Sequence, residues 1–176
     1  MSHNWMPIFG NLTKNKTGVV FHGRKNFAED DATDNIGLFI CDEVFTGGEV
    51  TVEVMFKDVC DRSSADIVLH FDPTTKDTVN AGLTSVNLFS IRHFSGQWTN
   101  HASSGDSKQI EPNRSYKLKV LMNGSLVSLY VDGVEVLKTN LPYAVPQSQI
   151  GVFSVNEGDV VFNNFKITQS LCCDAV

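Results

Sequence analysis

The sequence predicts an all-β protein, an antiparallel β-sandwich built as a jelly roll of two curved sheets. Apolar and polar residues alternate with a period of two along much of the chain, and Gly-containing turn pairs separate the alternating runs. Nowhere does a helix-period stripe persist for three turns, and about a dozen short strands joined by turns are the signature of a sandwich.

Taken in order, "GVVFHG" and "IGLFI" read as strands flanking the polar, acidic stretch from Glu29 to Asn35, which reads as a loop. In "GEVTVEVMFKD", Val50, Val52, Val54 and Phe56 alternate with Thr51, Glu53 and Lys57, so one face is buried and the other wet. "ADIVLHFD" and "VNLFSIRHF" are rich in β-branched and aromatic residues, which fill a pleated surface. The clearest segment is "SYKLKVLMNGSLVSLYVDGVEVL", residues 115 to 137. There Tyr116, Leu118, Val120 and Met122, then Val127, Leu129 and Val131, alternate with polar residues. Asn123-Gly124 and Asp132-Gly133 tolerate positive φ at both central positions of a type I′ turn, so this segment reads as a three-stranded meander. "QIGVFSV" and "DVVFNNFKI" close the domain, with Asn156-Glu157-Gly158 as the turn between them.

With 176 residues the chain is read as one domain over 1–170, and 171–176 as a tail or the start of a junction to a further domain. A net charge of −6 and scattered Lys and Arg exclude a nucleic-acid partner, because phosphates call for a basic face. No apolar run approaches the roughly 20 residues that span a bilayer. The adjacent Cys172 and Cys173, with Cys41 and Cys60 far apart, suggest neither a disulfide framework nor a zinc pattern. Free thiols and an N-terminus without a basic-then-apolar leader point to a cytoplasmic chain. The Asn-x-Ser/Thr acceptor patterns at Asn11, Asn15, Asn113 and Asn123 would suit a secreted chain whose leader was removed, but a sequence this rich in Asn, Ser and Thr produces some by chance, and the expectation is cytoplasmic.

Several of these segments carry a resemblance. "NRSYKLKV" through "LYVDGVEV", then "IGVF" and "VVFNNFKI", look like the closing strands of the concanavalin A-like lectin/glucanase superfamily, laminin-G-like jelly rolls included. "GGEVTVEVMFKDV" is similar to an earlier strand of such domains. The matched residues are turn and core positions, so the resemblance implies a fold and leaves function to the site. It implies two curved sheets, one concave, with carbohydrate bound or cut on the concave face or its rim in some relatives and protein contacts made by others. A further likeness is to galectins: "ADIVLHFDP" resembles their His-Phe-Asn-Pro-Arg strand, and Trp98 follows as a Trp does there. Asp72 replaces the Asn of that motif and Thr74 its sugar-gripping Arg, so galactoside specificity does not carry over.

The candidate site lies in "SIRHFSGQWTNH", residues 90 to 101. A two-residue hairpin at Ser95-Gly96 would set His93 opposite Trp98 and Arg92 opposite Thr99. Phe89, Ile91, His93, Trp98 and Asn100 would then share an inward face, and Ser90, Arg92, Thr99 and His101 an open one. On one reading Trp98 is a core or rim aromatic and Arg92 a solvated sheet residue. On the other, Arg92, His101 and Asn87 offer hydrogen bonds on a concave face with Trp98 at its edge, and the galectin likeness adds His70. A sugar suits such a site, since its C–H faces lie on aromatic rings and its hydroxyls need fixed polar partners.

Catalysis has less support. Glycosidases of this fold need two carboxylates about 5 Å apart or further, and the glucanase branch carries them as Glu-x-Asp-x-x-Glu. Glu157-Gly158-Asp159 is the nearest approach and lacks the second Glu, and "GDSK" at 105–108 has no strand-to-helix context. The expectation is therefore a non-catalytic, carbohydrate-binding module without a cofactor. The alternatives are a protein-interaction or sensor module appended to an effector domain, and a hydrolase with its carboxylates in loops. For calcium, Asp72 and Asp77 are weak candidates beside the denser acidic run from Glu29, and solvated loops explain both.

Overall fold

The computed structural model describes residues 3–24, 35–105 and 108–170. The loop read between Glu29 and Asn35, its acidic run, Asp106 in the "GDSK" fragment and the 171–176 tail lie wholly or mainly outside the described residues.

Fourteen strands run along the described chain, with no α-helix among them. They are β1 (Trp5–Phe9), β2 (Leu12–Lys14), β3 (Gly18–His22), β4 (Ile36–Phe45), β5 (Gly48–Phe56), β6 (Ser64–Phe71) and β7 (Thr78–Thr84). Then follow β8 (Leu88–Phe94), β9 (Trp98–Ser103), β10 (Ser115–Asn123), β11 (Leu126–Val131), β12 (Val134–Asn140), β13 (Ser148–Val155) and β14 (Asp159–Gln169). They form two seven-stranded sheets: a front sheet ordered β1-β4-β13-β6-β7-β8-β9 and a back sheet ordered β12-β11-β10-β5-β14-β3-β2. Neighbouring strands pair antiparallel, and the sequence-predicted sandwich is the fold.

The back sheet shows why period-two reading succeeds. Val50, Val52, Val54 and Phe56 of β5 and Tyr116, Leu118, Val120 and Met122 of β10 are buried, while their neighbours face water. The predicted meander is β10, β11 and β12. Asp132 and Gly133 both take positive φ (51° and 86°), as a type I′ turn requires. At the other turn Asn123 pairs with Leu126, so the loop is Gly124-Ser125 and only Gly124 takes positive φ, one residue later than the Asn-Gly signal suggests.

The central strands of the front sheet are buried on both faces. One face gives Phe39, Cys41, Ile67, Leu69, Val79, Ala81, Ile91 and Val152 to the core shared with the back sheet. The opposite face carries a second buried cluster of Leu38, Ile40, Val68, Phe71 and Phe153, flanked by Ile8, Ile36 and Val155. Each large side chain so covered contributes about 1.5–3 kcal/mol of hydrophobic stabilisation.

That outer face is covered because the sheet curls over it. Phe153 on β13 and Trp98 on β9 are four strand spacings apart, roughly 19 Å in a flat sheet at about 4.8 Å per strand. Their ring centroids are nonetheless 5.4 Å apart. Phe9 of β1 and Trp98 of β9 come from the sheet's two edge strands, and both line one cleft. The front sheet is thus the concave one, with its hollow on the side away from the core.

Candidate functional site on the concave sheet

The hairpin between β8 and β9 departs from the two-residue expectation. Phe94 pairs with Trp98, His93 with Thr99 and Arg92 with Asn100. The loop is Ser95-Gly96-Gln97, with Gly96 at φ 70° and a hydrogen bond from the Ser95 N–H to the Gln97 carbonyl (3.1 Å). One extra loop residue shifts the register and exchanges the faces of β9, because side chains alternate with a period of two. Trp98 and Asn100 therefore join Arg92 on the concave face, rather than His93. A bulge between Ile91 and Arg92 sets the register again, with His101 as the extra residue of β9.

His101 consequently leaves the Arg92 face. Its Nε2 lies 2.7 Å from Nδ1 of His93, the two rings are stacked at 4.9 Å, and Tyr143 meets His93 edge-on at 6.1 Å. The His–His contact requires one neutral acceptor nitrogen. Burial, with His93 beside it, lowers the His101 pKa below the ordinary histidine value. The unfolded chain therefore takes up the proton first as pH falls, so this histidine's contribution is present above about pH 6.5 and lost below it. Thermal melts from pH 7.5 to 5 are expected to show a fall in Tm that His101→Gln flattens. An identical slope in the variant rules this pair out as its source.

Two other expected residues also stand apart. Asn87 belongs to the turn before β8, where its N–H donates to Thr84 Oγ1 (3.1 Å) and its carbonyl accepts from the Phe89 N–H (2.8 Å). It lies at the opposite end of β8 from Trp98, roughly 20 Å of extended chain away. His70 follows a bulge of β6 at Leu69 and pairs with Val79, and its Nδ1 bonds Ser148 Oγ (2.9 Å) at the start of β13. Asp72 and Asp77 serve the β6–β7 turn. Asp72 Oδ1 accepts from the Thr74 and Thr75 N–H groups (2.7 and 3.1 Å), which hold its carboxyl below the usual range, and Asp77 Oδ2 accepts from the Ser95 hydroxyl (2.9 Å). Among the described residues no three His, Cys, Asp or Glu side chains converge as a metal centre.

Arg92 and Trp98 are brought together. The guanidinium carbon lies 4.1 Å from the centre of the Trp98 ring, and one terminal nitrogen donates to Asp66 Oδ2 at 2.7 Å. Arg92 is 14% exposed and Asp66 fully buried, so the arginine is not the solvated residue that open-face reading expects. Asn80 Nδ2 approaches the same carboxylate oxygen at 3.5 Å. Burial raises the Asp66 pKa, and the charge and hydrogen bond of Arg92 oppose that rise. Trp98 itself is 40% exposed, its ring also touching Phe94 and Phe153.

Beside this stack opens a cleft of about 270 Å³. Phe9, Leu38, Phe94, Trp98 and Phe153 wall it, and Lys76 and Thr78 supply its polar end. The arrangement presents aromatic faces, one cation at the rim and a buried ion pair beneath the tryptophan. Asp66 and Asn80 were not among the residues singled out from sequence.

No family model matches the chain, and no curated protein matches it. Solved structures do resemble it. The carbohydrate-binding module CBM66 from Bacillus subtilis superposes with a TM-score of 0.75 at 17% identity, covering 92% of each chain. A protein of unknown function with a galectin-like fold, also from Bacillus subtilis, superposes at 0.67 with 12% identity over 92% of this chain and 87% of its own. A glycosidic hydrolase reaches 0.58 at 10% identity over 92% and 87%. At these identities the likeness is one of fold, shared by binding proteins and hydrolases alike.

Proposed function

We propose that this chain is a non-catalytic carbohydrate-binding module that takes a saccharide on the concave face of its front sheet, within the concanavalin A-like superfamily. The observation that carries this reading is the exposed Trp98 ring at the mouth of the concave cleft, backed by an arginine that a buried carboxylate fixes in place. An indole face accepts the C–H side of a sugar ring, and an oriented guanidinium supplies directed hydrogen-bond donors. The similar fold of a carbohydrate-binding module supports the reading, as does the missing second glutamate of the glucanase motif. The binding needs no metal or cofactor.

A glycan array followed by titration calorimetry tests it. The expected result is binding that Trp98→Ala weakens at least tenfold and Trp98→Phe less, since buried tryptophan anchors carry about 2 kcal/mol or more in recognition sites. Absence of binding to every glycan, or equal binding by Trp98→Ala, overturns the reading. Turnover of a bound glycan overturns its non-catalytic part.

A second reading follows from the cleft's walls. Phe9 and Trp98 are both large exposed apolar side chains on its rim, a composition that also suits an apolar side chain of a protein partner.

A further inference from the structure

Seven buried side-chain polar atoms lack a hydrogen-bond partner among the described residues. Five of them belong to one patch of the front sheet: Ser64 Oγ, Asp66 Oδ1, Asn80 Oδ1, Ser90 Oγ and Arg92 Nε. Strand register explains the grouping. Asp66, Gly82 and Ser90 pair across β6, β7 and β8, and Asn80 pairs with Arg92 one step along. Ser64 and Asp66 alternate on β6, as Ser90 and Arg92 do on β8, so all five residues point to the concave side. Gly82 lies at the centre of the patch, where an added Cβ would come within 2.8 Å of Asp66 Oδ1. A Cβ there would also fall 2.3 Å from the Ala65 carbonyl oxygen, so the position takes only glycine.

A buried polar atom without a partner costs about 1–3 kcal/mol, and native proteins hold few of them. Five on one patch of the concave face, with the exposed Trp98 stacked on its Arg92, therefore mark a place where a bound group completes the hydrogen bonds. Their chemistry defines that group. Asp66 Oδ1 and Asn80 Oδ1 only accept, Arg92 Nε only donates, and the serine hydroxyls do either. The complement is a set of adjacent hydroxyls, each donating once and accepting once. Charge narrows the class further. Asp66 and Arg92 already neutralise each other, so an added anion meets the carboxylate, an added cation meets the guanidinium, and either loses its hydration.

We infer that Ser64, Asp66, Asn80, Ser90 and Arg92 form a hydroxyl-binding subsite on the concave face, with Trp98 over its Arg92 end, that selects an uncharged vicinal diol. The inference rests on the saccharide reading above and names the part of the ligand that enters deepest. On binding, the sugar's C–H face covers the exposed part of the Trp98 ring, so its fluorescence reports entry.

The test uses the full chain and the methyl glycosides of glucose, galactose, mannose and fructose, with glucuronate and glucosamine as charged probes, followed by Trp98 emission and calorimetry. At least one neutral glycoside is expected to bind tenfold or more tighter than either charged probe. Ser90→Ala is expected to weaken it about fivefold while leaving Tm unchanged or higher, because the hydroxyl it removes bonds nothing in the free protein. Asn80→Ala is expected to weaken binding similarly. If Ser90→Ala and Asn80→Ala bind as the parent does while Trp98→Ala does not, the subsite is refuted and the saccharide reading stands. A lowered Tm with intact binding in Ser90→Ala also refutes it, assigning the hydroxyl to a structural water network. Charged probes that bind as well as neutral ones remove the selectivity, and a parent that binds none of the neutral glycosides refutes the subsite while the glycan array still decides the saccharide reading.

Discussion

Replacing Arg92 by methionine is expected to cost about 3 kcal/mol of stability at pH 7.5, within the range for breaking a buried ion pair by removing one partner. Methionine fills much of the arginine's volume, so the loss measures charge and not a cavity. It leaves Asp66 fully buried with the Asn80 amide at 3.5 Å, and the carboxylate must then ionise without a countercharge or hold a proton. The pH dependence follows in sign. Burial already raises the Asp66 pKa above its unfolded value, and Arg92 limits the rise. A carboxyl raised in this way contributes stability that is fully present below about pH 3.9 and lost as pH climbs through its folded pKa. Without Arg92 that window widens upward, so urea melts of Arg92→Met should lose up to about 1.4 kcal/mol per pH unit where the parent curve has already levelled. The double variant Asp66→Leu/Arg92→Met should regain most of the stability, as apolar replacements of buried pairs commonly do, and lose glycan binding. A single-variant loss below about 1 kcal/mol with no pH dependence contradicts the pairing.

The same pair shows where sequence reading stopped. The back sheet was legible because each of its strands wets one face, so Val50 to Phe56 and Tyr116 to Met122 alternate visibly. The central front strands wet neither face. Every residue of β7, "TVNAGLT", is buried, and its Thr, Asn and Gly residues give no apolar stripe, so the strand and Asn80 with it escaped notice. Asp66 carried a usable signal. A carboxylate inside "SADIVLHF" is almost never fully buried without a partner, and Arg92 is the cation of "VNLFSIRHF" two strands away. The hairpin error has a different origin. Ser95-Gly96 fits a two-residue turn locally, but Phe94 and Trp98 pair across three residues and touch at 5.2 Å, a long-range preference that local turn chemistry does not report. That single residue decided that Trp98 faces the cleft and His101 does not.

Curvature of the front sheet leads to the second large effect. On a concave face side chains converge, and the row Ile40, Gly151, Val68 passes through its centre with no side chain at the middle position. A Cβ built on Gly151 falls 1.9 Å from the Phe39 carbonyl oxygen and 2.9 Å from the Ile40 Cα, both backbone atoms of β4. No rotamer relieves such a clash, so β13 and β4 must separate between two buried clusters. Gly151→Ala is therefore expected to cost about 3 kcal/mol, the upper part of the usual range for overpacking, and Gly151→Val more. Gly96→Ala is the contrast. Its added Cβ meets nothing within 4 Å, and its φ of 70° makes the cost purely conformational, about 1–2 kcal/mol. Urea titration of both variants separates steric from conformational glycines, and equal losses would contradict the close approach at Gly151.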